Sequence, residues 1–367
     1  MSSPKPIILC IALFLISALL TLYYQSPTSP PSPFRSSKPP THHPSHPRLA
    51  FATFLGGNTN PSASADDHLP PDSSSSSSQV SDGYFLGARV LAYQLLHSPI
   101  TATNLSIPFV ILTTPDVAPW KIARLRADGA TVVPVAKVDN GWIRAADPRW
   151  RDVMTKLRLW ELEGYDKVCF MDGDTLITRR LDDVFWDEGT VVQTPRPVGG
   201  VREGRGEGGA GDEAVEEERG LPRNYMFAAH TDAFGYEHPW PPGEGGYFNV
   251  GFFCFRPSRE VFEYYMRVAG MQGKFDPTFP EQNLLNHVHR KDGRMPWAKL
   301  WEGWNVNWPT ERDWRNGVGS FHAKYWDGDP SHDKVLKAIW REQRAEMEGY
   351  WRGREAREGR ISGTHGA

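Results

Sequence analysis

Cysteine is nearly absent. Three residues (Cys10, Cys169 and Cys254) among 367 cannot supply a disulfide framework, and none has CxxC or metal-knuckle spacing. A disulfide-stapled scaffold and a structural zinc site are therefore not expected. Cys10 lies in an apolar N-terminal run. The other two lie in apolar stretches that read as buried strands, where a thiol behaves as a small hydrophobe. A surplus of basic charge is also missing: 41 Lys and Arg stand against 44 Asp and Glu, for a formal net charge of −3. A nucleic-acid binder held by phosphate charge would carry a basic excess or stripe, so nucleic acid is not an expected partner. Aromatics are not lacking. Fourteen Trp, 12 Tyr and 18 Phe exclude a wholly disordered chain, while 34 Gly and 31 Pro point to unpacked attachments. The expectation is one sizeable globular domain with unstructured segments.

Charge is missing altogether from residues 7–24, which follow a short tail, 1–6, containing Lys5. At 1.5 Å per residue this run spans about 27 Å, enough for a thin endomembrane bilayer. It ends in Tyr23 and Tyr24, and no A-x-A-like site follows, so a single-pass signal anchor is expected, with a cleaved signal peptide as the alternative. Residues 25–47 are mostly Pro, Ser, Thr and His and read as an extended stalk. Tail, span, stalk and a large aromatic-rich domain form the layout of a type II enzyme of the Golgi or ER membrane with its domain in the lumen. Asn104-Leu105-Ser106 fits the N-glycosylation sequon.

The domain is expected over 48–367. Apolar runs at 49–55, 109–113, 130–135 and 168–171 read as strands. Between them lie helical patterns from residue 82 (Tyr84, Ala88, Leu91, Leu95), over 121–128, and over 148–163 with Met154, Leu157 and Trp160 on one face. Stretches near 56–82, with six consecutive serines, and 198–222, rich in Gly and Glu, read as disordered insertions. Val335, Leu336, Ile339, Trp340, Met347, Tyr350 and Trp351 mark a C-terminal amphipathic helix expected to dock on the domain. Such alternation predicts an α/β fold, a Rossmann-like, mostly parallel sheet with helices on both faces, whose ligand crevice lies at the carboxyl ends of the strands.

The most specific chemistry follows the strand at 168–171: Asp172-Gly173-Asp174. Residues two apart in extended chain point to one side, so Asp172 and Asp174 can converge, and Gly173 lets a ligand approach the backbone. Two close carboxylates need a cation between them, and a divalent ion that also binds diphosphate oxygens meets that need. Three other stretches suit the same crevice. Asn249 and Gly251 introduce a strand, Asn249 offering an amide to sugar hydroxyls. Glu281 and Gln282 stand in the first turn of a helix. His322 lies two residues from Lys324. The tryptophans at 297, 301, 304 and 308 suit either core packing or an acceptor groove.

Asp172-Gly173-Asp174, Met154-Thr155-Lys156-Leu157-Arg158-Leu159-Trp160, Phe248-Asn249-Val250-Gly251, Glu281-Gln282-Asn283-Leu284-Leu285-Asn286 and His322-Ala323-Lys324-Tyr325-Trp326 together resemble the ordered motifs of family 8 glycosyltransferases, the glycogenin and galactinol synthase group. The resemblance covers residues 48–328 outside the insertions. It implies a GT-A fold, a UDP-sugar donor, Mn²⁺, and hexosyl transfer (glucose, galactose or N-acetylglucosamine) with retention to a glycan, protein or polyol acceptor. Carried over residue by residue, Asp172, Asp174 and His322 would hold the metal, Asp172 also lying near the ribose. Lys324 would neutralise phosphate, Thr53 and Tyr84 would lie by the uracil, and Lys156, Asn249, Gly251, Glu281 and Gln282 would line the donor sugar. Two departures stand out: Lys324-Tyr325-Trp326 replaces Lys-Pro-Trp, and Glu281 replaces an Asp, a role that Asp276 could share. No carboxylate is placed to act as a covalent nucleophile, so front-face displacement is expected. Two alternatives remain open, a catalytically inactive relative that binds glycans or a partner, and a sugar nucleotidyltransferase. The latter should carry a basic Gly-rich loop after the first strand, and residues 56–60 contain no Arg or Lys.

Overall fold

Strand β1 (Leu49–Leu55) is apolar at every position but Thr53, the pattern of a strand covered on both faces. On one side it pairs in parallel with β2 (Phe109–Thr113), which in turn pairs with β3 (Thr131–Pro134). On the other it pairs in parallel with β4 (Lys167–Met171). The chain then leaves the main sheet through β5 (Thr175–Ile177) and returns as β6 (Phe227–Thr231), β7 (Phe248–Phe255) and β8 (Ala298–Lys299), giving the order β3-β2-β1-β4-β7-β6-β8. Among the described strands of this sheet, only β7 runs against its neighbours. Its first residues therefore lie at the sheet edge where β4 and β6 end. The sheet is the mostly parallel α/β arrangement that the sequence predicts.

This computed structural model describes residues 47–57, 82–145, 147, 150–197 and 219–364, with side chains to 358. The expected tail, span and stalk lie outside the described residues, as does most of both insertions (58–81 and 198–218). Among the described residues no helix is long and apolar enough to cross a membrane.

Alternation along the strands divides the core. Phe51, Ile111, Cys169, Met171 and Phe252 face α1 (Gly83–Leu96) and α2 (Pro119–Ala127). Ala50, Val110, Val168, Phe170 and Phe253 face α3 (Arg259–Ala269), α4 (Pro280–Val288) and a 3₁₀ helix, Val153–Glu161. Cys169 and Cys254 sit opposite each other across β4 and β7 as buried free thiols, and burial holds the Cys169 thiol well above its ordinary pKa. The former end of the first insertion, Asp82, caps α1 by accepting the Phe85 amide (3.0 Å) and is held by Lys121 Nζ (2.7 Å).

The 3₁₀ helix corrects the α-helix expected over 148–163. Met154, Leu157 and Trp160 recur every third residue, and tighter winding at three residues per turn sets them in one buried row. The same winding sets Lys156 between Val153 and Leu159 in a second buried row. The C-terminal helix docks as expected. After β9 (Asn305–Asn307), α5 (Glu311–Arg315) and β10 (Ser320–His322), helix α6 (Lys334–Thr364) buries Leu336, Trp340, Met347 and Trp351 against the outer side of α1.

Two core histidines make stability depend on pH. His289 stacks on Phe227 (4.4 Å between centroids) with Nδ1 2.7 Å from the Met295 carbonyl and Nε2 2.5 Å from the Tyr265 hydroxyl. Its Nδ1–H donates to the carbonyl while Nε2 accepts from the tyrosine. Burial pushes His289, and likewise His230, down to about 3. Both pKa values lie below the unfolded value, so the unfolded chain takes up protons first and stability falls as pH drops below about 6.5. Between pH 7 and 5 each histidine is expected to cost about 2 kcal/mol, read as a falling urea midpoint. A midpoint unchanged over that interval would contradict this.

Candidate active site

The chain turns sharply where β4 ends. The Asp172 amide donates to the Gly251 carbonyl (2.8 Å) and the Ala323 amide donates to the Asp174 carbonyl (3.0 Å), tying the Asp-Gly-Asp turn to β7 and to the residue after β10. The turn rests on α1. A Cβ at Gly87 would lie 2.2 Å from the Gly173 carbonyl oxygen, so glycine is required at 87, whereas a Cβ at Gly173 would meet only ordinary contacts. Sequence reasoning singled out Gly173 and missed Gly87, because the requirement arises from a helix approaching the turn from elsewhere in the chain.

Each carboxylate of the turn is divided between two tasks. Asp172 Oδ1 lies 2.8 Å from Lys156 Nζ, and Asp174 Oδ2 lies 3.0 Å from Lys324 Nζ. The remaining oxygens face one imidazole nitrogen: His322 Nε2 is 3.7 Å from Asp172 Oδ2 and 3.1 Å from Asp174 Oδ1. Ligand atoms of these three residues lie within 4.8 Å of one another. Asp174 Oδ1 is buried with no hydrogen-bond partner, despite the nearby ring. An orphaned carboxylate oxygen, a second carboxylate and an imidazole, all aimed at one point, form a donor set that suits a divalent ion such as Mn²⁺.

The local charges respond as this geometry requires. Burial disfavours a charged Asp174, but Lys324 and His322 outweigh it and hold the carboxyl well below its usual range. Burial lowers His322, but the two aspartates outweigh it and raise the ring above its ordinary value. Lys156 is buried too, and Asp172 with Glu281, the latter 3.1 Å away, keep it charged and raised. For Lys324 the Asp174 charge dominates over burial and the ammonium is again raised.

β7 supplies the next layer. Gly251 is needed because a Cβ there would fall 2.1 Å from the His322 ring. Asn249 Oδ1 accepts the Gly251 amide (2.8 Å) and faces His322 Nδ1 (3.2 Å), while Asn249 Nδ2 donates to Asp232 (3.1 Å). With the amide so oriented, His322 carries its proton on Nδ1 and leaves Nε2 for the shared point. Gln282 accepts from the Val250 amide (3.1 Å) and donates to the Tyr247 hydroxyl (2.9 Å). Gly251→Ala is expected to displace His322, lowering the affinity of the Asp172–Asp174–His322 cluster for an added divalent ion about tenfold or more and stability by about 1–3 kcal/mol. Calorimetry and urea unfolding would check it, and a variant matching the wild type in both would contradict the packing described.

The structure thus gathers Asp172, Asp174, Lys156, Asn249, Gly251, Glu281, Gln282, His322 and Lys324 at one edge. Tyr84 joins them, its ring 5.9 Å from Lys324 Nζ and 5.3 Å from the Trp326 ring. Thr53 lies fully buried within β1, its hydroxyl without a partner. Asp276 is exposed and its Oδ1 accepts from the Thr278 amide and hydroxyl (2.9 and 2.6 Å), while the ion pair to Lys156 is made by Glu281. The four tryptophans divide: Trp297 and Trp304 are core, while Trp301 and Trp308 are 48% and 45% exposed. Asp232 and Asn307 were missed by sequence reasoning, and a lone Asp and a lone Asn give no signal from which to find them.

No family model matches the chain. It is 30% identical over 285 residues to an uncharacterized protein of Schizosaccharomyces pombe, covering 72% of this chain and 76% of that one. It is also 27% identical over 211 residues to glycogenin-1 of Oryctolagus cuniculus (56% of this chain, 47% of that one). The UDP-glucuronate:xylan alpha-glucuronosyltransferase 2 of Arabidopsis thaliana is 23% identical over 293 residues (76% and 44%). The chain belongs to glycosyltransferase family 8. It spans about half the length of its glycogenin and glucuronosyltransferase relatives. In its mixed sheet Asp172-Gly173-Asp174 directly follows the central strand β4, the placement that the family 8 resemblance implies. Glu281, where the resemblance expects an Asp, pairs with Lys156, and Lys324 reaches Asp174 although Tyr325 follows it in place of Pro.

Proposed function

We propose that the protein is a metal-dependent, retaining hexosyltransferase that takes glucose, galactose or N-acetylglucosamine from a UDP-sugar and passes it to a glycan, protein or polyol. One observation carries the reading: two carboxylates each give one oxygen to a lysine and turn the other toward the same histidine nitrogen. Asp172, Asp174 and His322 would hold a divalent ion such as Mn²⁺. Bound there, the ion supplies positive charge to the diphosphate of the departing UDP. Lys324, at the same point, adds a fixed cation for the charge that develops on the β-phosphate. Asn249, Gln282 and the Lys156–Glu281 pair line the donor sugar. Glu281 is engaged by Lys156, which favours front-face displacement: the acceptor oxygen bonds to the anomeric carbon, the bond to UDP breaks, and the departing phosphate oxygen takes the acceptor proton.

The same reading places the enzyme in the Golgi or ER membrane as a single-pass type II protein with a luminal domain. The uncharged run at 7–24 and the Pro/Ser-rich stretch after it support this placement. A UDP-release assay in Mn²⁺ across UDP-glucose, UDP-galactose and UDP-N-acetylglucosamine tests the activity. Release from at least one donor is expected. Release from none above the heat-denatured control would overturn the proposal.

A further inference from the structure

Two aromatic residues adopt an unfavourable backbone at the same place. Phe234 (φ 58°) and Trp308 (φ 53°) are, with Ser106, the non-glycine residues in the left-handed region among those described. Bulky side chains seldom occupy that region, because Cβ crowds the backbone, and they persist there only when their surroundings hold them. Here the His238 ring holds the Trp308 carbonyl (3.2 Å), and a hydrogen-bond clamp holds Phe234 and the residue before Trp308. The Phe234 amide donates to Asp232 Oδ1 (2.9 Å), the Ala233 amide donates to Asn307 Oδ1 (3.0 Å), and Asn307 Nδ2 donates back to Asp232 Oδ1 (2.8 Å). Trp308 follows Asn307 directly.

The strain does not serve packing. Phe234 is 69% exposed and Trp308 45% exposed, in a domain that buries most of its other large aromatics. The other oxygen of Asp232 accepts from Asn249, so the clamp on Phe234 and Asn307 begins at the candidate donor-sugar wall. Tyrosines border the two rings: Tyr247 lies 5.9 Å from Phe234, and Tyr236 meets Trp308 edge-on at 5.2 Å. The Tyr247 hydroxyl in turn joins Gln282 and Asn283 at the start of α4.

We infer that Phe234 and Trp308 form a stacking platform for a carbohydrate acceptor. The inference rests on the transferase reading, because an acceptor must lie against the sugar being moved, and this platform adjoins that sugar's wall. Aromatic faces pack against the C–H faces of pyranose rings, while nearby hydroxyls and amides meet the sugar hydroxyls.

The test is calorimetric titration of the full chain in detergent, with Mn²⁺ and UDP present, using maltohexaose, cellohexaose and xylohexaose as probes. At least one should bind, and Phe234→Gly and Trp308→Gly should each weaken it about tenfold. Glycine suits left-handed backbone, so both variants should unfold at the wild-type temperature or above, which separates lost binding from lost folding. Phe234→Tyr should keep the affinity. Absence of binding by the wild type, or equal binding by the glycine variants, would overturn the platform, the latter being the result expected of a polypeptide acceptor. Hexasaccharide binding through these residues in a protein that binds no UDP in Mn²⁺ would leave the platform standing and remove the transferase reading.

Discussion

Asp174→Asn is expected to weaken Mn²⁺-dependent UDP binding by more than about a hundredfold and to remove sugar transfer. The substitution keeps the shape of the side chain but removes the charge that Lys324 and His322 hold in place. An amide oriented to accept from Lys324 Nζ turns its NH₂ toward His322 Nε2, where a lone pair and a cation are meant to meet. The opposite orientation sets two donors against each other at Lys324. Neither restores the donor set. Calorimetry with UDP in Mn²⁺ reads the effect directly, and an affinity within a few-fold of wild type would show that Asp174 does not hold the ion.

Lys156→Ala is expected to cost about 3–5 kcal/mol of stability, because it leaves Glu281 and the inner oxygen of Asp172 without their shared cation. Lys156 also caps the ring of Phe170 from 5.4 Å, so its loss opens the core beneath β4. A paired substitution separates structure from function. Lys156→Met with Glu281→Gln removes both of these charges and fills similar volume, leaving only the half-buried Asp172 without its lysine. It should therefore regain part of the stability while transfer is lost in both variants. Urea unfolding beside the UDP-release assay checks both halves. If the single variant were as stable as wild type, the bridge would be a surface pair in effect, contrary to its burial.

The parts of this molecule that sequence reveals are those whose signal is local. The strand at 49–55 announces itself by continuous apolar residues, and Asp172-Gly173-Asp174 by following such a strand. Asn249, Gly251 and Gln282 stand out through their place at the start of a strand and a helix. The 3₁₀ winding at Val153–Glu161 was hidden because a spacing of three also fits one face of an α-helix. Lys156 was found, but its engagement of both Asp172 and Glu281 depends on elements far apart in the chain. Gly87, Asp232 and Asn307 gave no signal, since each matters only for what tertiary packing brings against it. Trp297 and Trp308 look alike in sequence, and only the fold sends one to the core and the other outward.

Titration of UDP into the wild-type chain, once with Mn²⁺ and once with EDTA, probes the central claim most directly. Two acidic side chains and an imidazole converging on one point predict binding with the metal and loss of most of it on chelation. Equal affinity in both buffers would contradict the account.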